Sequence, residues 1–550
     1  MLALPMALAL AAGAEPVAPG CASFDLSLAG IGSLEEDLAR TAGLAGSAPL
    51  WPGVLRRPSG ARPLWLCDGP APDRATIPDP IPIERLRWDL VPPTWLATLH
   101  TGWADDRNDG ALWSGRGLSS SITAGVRARW RWLTAQLAPT AAWQMNHPFY
   151  VPQAAWAGQS PWANPFNYGS IDLPVRMGPS DFWTFDWGQS SLRLDVGAFA
   201  GGVSSENLWW GPGIRNSLLM SNSGPGIPHL FLGTSRPVDI WIGWLEVEVL
   251  WGRLRESRWF DHDPRNDRRL FEGVIYTFAP AFAPNFTLGF ARVWLYPDDR
   301  VSWDVYLKPL VPPFLRLFTA RPEQNGRENQ LATLFGRWVL PVARLEIYGE
   351  WARDDFANNI TNLLMDPWAS SAFLLGLQHL IPSGEGWLRV QAELAHTYEK
   401  TGSLGAAIFY THSSERQGYT QAGQMIGAGL GPQGDTQFLA VDWIRGRRRV
   451  GAYLERVVRN ERYFNDVTAP AEVAAGAMPR HDLTMTYGLR GAWVHREWDV
   501  TCDLAVSQRY ALNLGPEAWG VDATLRVSWW PGRAEAPALP GPGARAAAAP

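Results

Sequence analysis

The sequence predicts an all-β fold: a transmembrane antiparallel β-barrel of about 16–18 strands, preceded by a small N-terminal helical element. Three observations carry this. Apolar and polar residues alternate from about residue 92 to Trp530, the period that sends successive side chains to opposite faces of a strand. The alternating runs reach ten residues or so, enough for a tilted strand to cross a bilayer. Their ends carry Trp and Tyr from a chain holding 31 and 13 of them, as interfacial aromatic girdles require.

Composition narrows the class further. The 550 residues are 46% hydrophobic with a net charge of -5, and mean hydropathy is -0.14. Past the N-terminus no uncharged apolar run reaches the ~18–20 residues of a spanning helix, so helices do not make the crossing. A slightly acidic chain without a basic stripe argues against a nucleic-acid partner. Basic residues are Arg throughout, apart from Lys308 and Lys400. That suits recognition of sugar acids or phosphates. A compositional bias that also enriches Ala, Gly, Pro and Trp explains it equally well.

The elements follow in order. Leu2 to Ala12 is uninterrupted apolar sequence, followed by the small-x-small Ala12-Gly13-Ala14. This predicts a secretory signal over residues 1–14, although no Lys or Arg precedes the run. Residues 15–91 are expected to form a helical and Pro-rich segment, periplasmic or plugging. Within it, Ser33-Leu34-Glu35-Glu36 has capping-box spacing, and a short amphipathic helix should end near Gly43 or Gly46. A further turn of helix is expected around Ile83 to Trp88. Cys21 and Cys67 are placed to pair in an oxidising compartment, whereas Cys502 lies in a strand pattern and should pack as a small apolar residue.

Residues 92–530 should be the barrel. Ile122, Val126 and Trp130 share one face while Thr123, Arg127, Arg129 and Arg131 take the other; Leu388, Val390, Ala392 and Leu394 alternate with Arg389, Gln391 and Glu393. The same holds for Leu483 to Arg490, Trp498 to Ser507 and Val521 to Trp529. A soluble sandwich would turn the apolar face inward. A membrane barrel inverts this, apolar out and charged in, which accounts for so many ionic residues on strand positions. At roughly 45–55 residues per strand pair with its turn and loop, the span holds eight or nine hairpins. The Ala/Pro/Gly-rich tail, residues 531–550, is expected to be disordered.

One stretch of the span has poor strand propensity. Glu206-Asn207-Leu208-Trp209-Trp210-Gly211-Pro212-Gly213 leads to Arg215-Asn216-Ser217-Leu218-Leu219-Met220-Ser221-Asn222 and then Pro225-Gly226-Ile227-Pro228-His229-Leu230. Asp172 to Gly178 and Gly188-Gln189-Ser190 lie upstream. Tyr348-Gly349-Glu350-Trp351-Ala352-Arg353-Asp354, Tyr410-Thr411-His412, Gly418-Tyr419-Thr420, Gly423-Gln424, Gly427 and Gly431-Pro432 lie downstream. Together and in this order, these blocks resemble the Wzi capsule-assembly family. The resemblance implies an outer-membrane barrel of about eighteen strands in a diderm bacterium, with a small helical N-terminal element. It also implies a lectin that holds capsular polysaccharide on the cell surface, with no enzymatic turnover.

Two regions are candidates for function. The stretch through Trp210, Gly211, Pro212, Gly213, Asn216, Asn222 and Pro228 should fold into or over the barrel mouth, where Pro fixes one φ and glycines accept positive φ. It is either a packed constriction or a direct sugar site. The loop from Asn146 to Asp186 carries aromatic faces and planar polar groups, the pairing that sugars require. Its candidate glycan contacts are Tyr150, Trp156, Trp162, Asn164 and Tyr168. These aromatics equally suit a girdle or an inward-folded core. Arg445-Gly446-Arg447-Arg448-Arg449 reads as a periplasmic turn or as a contact for lipopolysaccharide phosphates and uronic acids. Asp261-His262-Asp263 and Asp298-Asp299 read as solvated loops, and no cofactor or metal is expected. The partners expected are capsular or exopolysaccharide and outer-membrane lipids or lipopolysaccharide. The leading function is a polysaccharide-binding barrel that assists assembly or surface attachment of the polymer. The alternatives are a porin for small anionic solutes and a lipopolysaccharide-modifying enzyme.

Overall fold

The computed structural model describes residues 21–25, 30–46, 54–56, 63–67, 83–153, 158–167, 169–298, 303–311, 328–354, 364–365, 368, 370–398, 408–533, 538–539 and 541–542. Over these residues the chain closes an antiparallel barrel of eighteen strands. The first nine are β1 Ile83–His100, β2 Gly117–Arg131, β3 Leu133–Leu137 continued by Thr140–Gln144, β4 Phe182–Asp186 continued by Ser191–Val196, β5 Phe199–Ser204, β6 His229–Thr234 continued by Val238–Asp239, β7 Gly243–Arg255, β8 Arg268–Pro280 and β9 Phe286–Pro297. The rest are β10 Asn329–Leu340, β11 Leu345–Asp354, β12 Ser371–Ser383, β13 Gly386–His396, β14 Asp435–Arg445, β15 Arg448–Arg459, β16 Asp482–His495, β17 Trp498–Arg509 and β18 Ala518–Trp529. Strand β18 closes on β1, from Asp522 opposite His100 to Ser528 opposite Thr94. Closure leaves no edge, so every strand's amides find partners within the protein.

The alternation is inverted, as expected of a barrel in lipid. On β14, Leu439, Val441 and Trp443 are exposed while Phe438, Ala440 and Asp442 are buried. Arg127, Arg389, Glu393, Glu455, Asp482 and Arg509 all face inward and are buried. Strand connections are short at one end, as at Gly446-Arg447 and Arg496-Glu497, and long at the other. In barrels of this kind the short turns are periplasmic and the long loops extracellular. The Arg445 to Arg449 cluster is thus a periplasmic turn.

The barrel begins earlier than the sequence suggests. Residues 83–88, expected as a turn of helix, belong to β1, with Ile83 opposite Arg131 and Arg87 opposite Arg129. Strand β2 is long enough to offer these residues a ladder, and its hydrogen bonds outweigh the weak helical spacing. At the other terminus, Arg533 and Leu539 lie in the tail expected to be disordered, yet they are held. Arg533 pairs with Asp499 at 2.7 Å, and Leu539 bonds Gly446 and is buried.

The helix α1, Leu34–Ala45, closes the periplasmic end. Ser33 Oγ accepts from Glu36 N at 3.3 Å, Glu36 reaches back to Gly32 N, and Gly46 ends the helix with φ 71°. Its apolar face meets Val339, Leu380, Trp387 and Ile444 at the strand ends. Its charged face enters the lumen. Asp37 pairs with Arg389 at 2.7 Å and with Arg449, and Arg40 pairs with Glu346, itself bound by Arg337 at 2.7 Å. Arg389 and Arg490 share Asp442 at 2.8 and 2.7 Å. Buried charges persist only when paired in this way. Before the helix, strand Cys21–Asp25 pairs antiparallel with Pro63–Cys67, and the register sets Cys21 opposite Cys67.

Candidate functional site

The segment between β5 and β6 enters the barrel and fills it. Trp210, Leu218 and Leu219 are fully buried, packed among Phe271, Ile275, Val293, Leu331 and Phe335 of the inner wall. Two lumen carboxylates hold its backbone. Glu393 on β13 accepts from the consecutive amides of Ile214 at 2.7 Å, Arg215 at 3.1 Å and Asn216 at 2.8 Å. It also accepts from Tyr348 Oη at 2.9 Å. Glu350 on β11 accepts from Leu218 N at 2.9 Å. Successive N–H groups converging on one carboxylate form an anion nest, here serving to anchor a loop.

The motif residues follow from this geometry. Gly211 has φ 141°, and a Cβ there would collide with Glu350 Oε1. A Cβ at Gly213 would collide with Asn216 O. The carbonyls of Pro212 and Gly213 accept from Arg40 and Arg56 at 2.6 and 2.8 Å, linking the segment to α1 and its neighbour. Asn216 Nδ2 donates to Glu393 at 3.0 Å, and Asn222 Nδ2 donates to Asn108 O at 3.0 Å. Tyr410 and Tyr419 stack with ring centroids 5.5 Å apart; their hydroxyls donate to the carbonyls of Leu218 and Leu219 at 2.6 and 2.8 Å. Pro228 lies exposed at the segment's exit. Of the two readings, the segment takes the form of a packed constriction.

Above the plug, the described parts of five extracellular loops converge: 101–116, 145–181, 397–434, 460–481 and 510–517. They enclose an open cleft of about 130 Å³. Its walls present the rings of Trp113 and Phe149 beside Asp106, Arg459, Asn460, Arg509 and Asn513. The polar groups are held in fixed orientations. Arg509 forks onto Asp482 at 2.6 and 2.7 Å and donates to Asn513 Oδ1 at 3.0 Å. Asn460 Nδ2 donates to the same Asp482 at 3.0 Å. Arg459 reaches Asp105 at 3.2 Å. Asp106 Oδ2 accepts from Gln424 Nε2 at 3.0 Å, and Oδ1 is buried. Burial, with the Asp109 charge nearby, holds the Asp106 carboxyl well above its ordinary range. Backbone strain gathers here too. Gln433, Asn460, Asn513 and Leu514 have φ of 58°, 60°, 51° and 59°, and such conformations persist where surrounding structure enforces them, often at binding sites.

The residues singled out from sequence are distributed unevenly about this cleft. Asn164 lines it, but its amide is committed: Nδ2 donates to Leu173 O at 2.8 Å and Oδ1 accepts from Phe166 N at 2.9 Å. Tyr150, next to the lining Phe149, is exposed at the rim with its ring against Gly515. Trp162 lies elsewhere, edge-on to Trp259 at 6.3 Å and beneath the Arg176 guanidinium at 5.3 Å. Trp156 and Tyr168 fall outside the described residues. Sequence reading missed Trp113, Asp106, Asn460, Arg509 and Asn513. Asn460 and Asn513 had a signal, since Asn at a strand-to-loop junction tolerates positive φ. The Asp261-His262-Asp263 loop forms local turns, with Asp261 accepting from Asp263 N at 2.8 Å and Arg265 forking back onto Asp263.

Comparison with known proteins bears on what this architecture is. The family model for capsule assembly protein Wzi matches residues 112–518, from the loop after β1 to the start of β18. The chain belongs to the Wzi capsule-assembly family. Among the blocks by which it resembles Wzi proteins are the plug and the side chains that grip it, Glu350, Tyr410 and Tyr419. Among solved structures it is similar to Wzi of Escherichia coli, described as an outer-membrane protein involved in group 1 capsule assembly and as a carbohydrate-binding β-barrel. That match has 13% identity, a TM-score of 0.54, and covers 80% of this chain and 84% of the other. The Pseudomonas aeruginosa barrel OccK7 matches at 10% identity and a TM-score of 0.39, over 81% of this chain and 98% of the other. Acinetobacter baumannii OccAB3 matches at 7% identity and a TM-score of 0.40, over 80% and 98%. A search of curated proteins gave no match.

Proposed function

We propose that this Wzi-family chain is an outer-membrane carbohydrate-binding barrel that assists assembly or surface attachment of capsular or extracellular polysaccharide, without turnover. The observation that supports this best is the cleft above a filled lumen. It offers aromatic faces for sugar C–H surfaces and oriented Arg, Asn and Asp groups for adjacent hydroxyls. A repeating polymer engages many such barrels at once, so modest affinity per site suffices for retention.

The test is polymer retention by cells carrying cleft variants. Phe149→Ala and Asp106→Asn release polysaccharide into the medium while barrel abundance stays unchanged, whereas Trp162→Ala, whose ring is occupied by Trp259 and Arg176, retains it. Full retention in the cleft variants would remove the cleft from the reading. Binding of the purified barrel to a glycan array then names the polymer. The porin alternative is separated by planar-bilayer recording, since a filled lumen passes no steady current. The enzymatic alternative would show as new reducing ends or released acyl chains after incubation with purified polymer or lipopolysaccharide.

A further inference from the structure

The lipid-facing belt is not level around the barrel. The register places Glu272 of β8 between Trp251 and Trp294, and Trp294 opposite Gln330 of β10. These share a face with Val249, Leu270 and Val274, the outer-wall cluster, and not with Phe271 and Ile275, which face the plug. One row nearer the periplasm, Arg292 lies opposite Ala332, and Ala332 opposite Arg353. Glu272, Arg292, Gln330 and Arg353 are thus polar residues on the outer wall, and all are buried. Protein covers this region: the segment Trp303–Tyr306 with Lys308–Leu310 lies against it, Tyr306 O accepting from Trp251 Nε1 at 2.9 Å and Lys308 Nζ donating to Tyr296 Oη at 2.7 Å. The upper part of this wall is therefore outside the acyl chains.

Below the Arg292 row, too few apolar rows remain. Outward positions repeat every two residues, about 6.8 Å along a strand, or roughly 5 Å of height at the usual tilt. An apolar band about 25 Å tall needs about five rows. Strand β8 offers Tyr276, Phe278 and Pro280 before its turn, and β9 offers Phe290, Leu288 and Phe286. On the far wall β18 supplies a full set by itself, Trp519, Val521, Ala523, Leu525, Val527 and Trp529. The periplasmic turns compensate. Those of the short wall carry Trp241, Phe282 and Val342 at their tips, 90%, 91% and 99% exposed. Of the turns elsewhere, those after β12 and β16 carry Glu385 and Arg496, both exposed.

We propose that the barrel stands obliquely in the membrane, the β6–β11 wall raised toward the extracellular side so that Trp241, Phe282 and Val342 rest among the phospholipids of the inner leaflet. The tips continue an interface that already faces lipid, and they restore the height the wall lacks.

Single-cysteine variants W241C, F282C, V342C, E385C and R496C, in a C21S/C67S/C502S background, carry a nitrobenzoxadiazole label in nanodiscs of phosphatidylethanolamine and phosphatidylglycerol. Heat-modifiable migration on gels establishes that each is folded. Labels at 241, 282 and 342 are quenched by nitroxide lipids and are several-fold less accessible to iodide than those at 385 and 496. Equal iodide access at all five positions overturns the proposal. Shielding of the three tips from both quenchers also overturns it, by assigning them to a protein contact.

Discussion

At Gly211 the chain has no room for a methyl group, because Glu350 Oε1 occupies the space a Cβ would take. Gly211→Ala should destabilise the plug by about 1–3 kcal/mol, as overpacking of a filled interior does, and lower the temperature at which the barrel loses its compact gel mobility. Glu393→Ala acts on the same element by another route: it strips the acceptor from three successive amides, two half-buried and that of Asn216 buried, and a buried one costs about 1–3 kcal/mol when left unmade. The extracellular loops carry a titrating pair. Burial raises Asp172 to about 6 against the hydrogen bonds from Ser257. Burial likewise raises Glu256 to about 8, outweighing the Gln417 hydrogen bond, with the charges of Asp172, Asp261 and Asp267 adding to it. An unfolded carboxylate titrates near 4, so the folded loops hold protons that the unfolded chain has released. The stability this contributes is fully present below about pH 4 and is lost as pH rises through 6 and 8. Hydrogen exchange in residues 256–267 and 408–420, corrected for intrinsic rate, should quicken between pH 5 and pH 9, and Glu256→Gln should flatten that change.

Among the elements, the plug is sewn to its surroundings by long-range bonds: Glu350, Glu393, Tyr410 and Tyr419 come from strands and loops far along the chain. Replacing residues 207–226 with a Gly/Ser linker should turn a silent barrel into one with steady conductance in planar bilayers; silence in that variant would mean that α1 alone seals the lumen. Helix α1 was legible from Ser33, Glu36 and Gly46, because capping is local chemistry. Its position was not, since Asp37 and Arg40 find Arg389, Arg449 and Glu346 only after the barrel has closed. The β-pair before and after the helix sets Cys21 opposite Cys67. Alkylation without reduction should accordingly label Cys502 alone, and labelling of all three cysteines would remove the crosslink.

Over the whole molecule, the inverted alternation could be read strand by strand because a period of two needs no partner to be visible. The lower limit of the barrel could not, because Ile83 to Trp88 become strand only through pairing with a long β2. The cleft was the least legible feature. The sequence pointed to one aromatic loop, whereas the cleft draws Trp113, Phe149, Asn460 and Asn513 from four separate loops. Asn164 belongs to both descriptions, but as a residue that shapes the wall through its own hydrogen bonds.

What the sequence by itself determined is the membrane-spanning barrel, its scale of 16–18 strands, the helix and the plug motif, since each rests on periodicity or on turn chemistry within a few residues. What only the tertiary structure decided is which carboxylates grip the plug, which loops meet above it and how the apolar belt slopes around the wall. These depend on inter-strand register and on contacts between residues hundreds of positions apart, and neither is encoded in any local window of the chain.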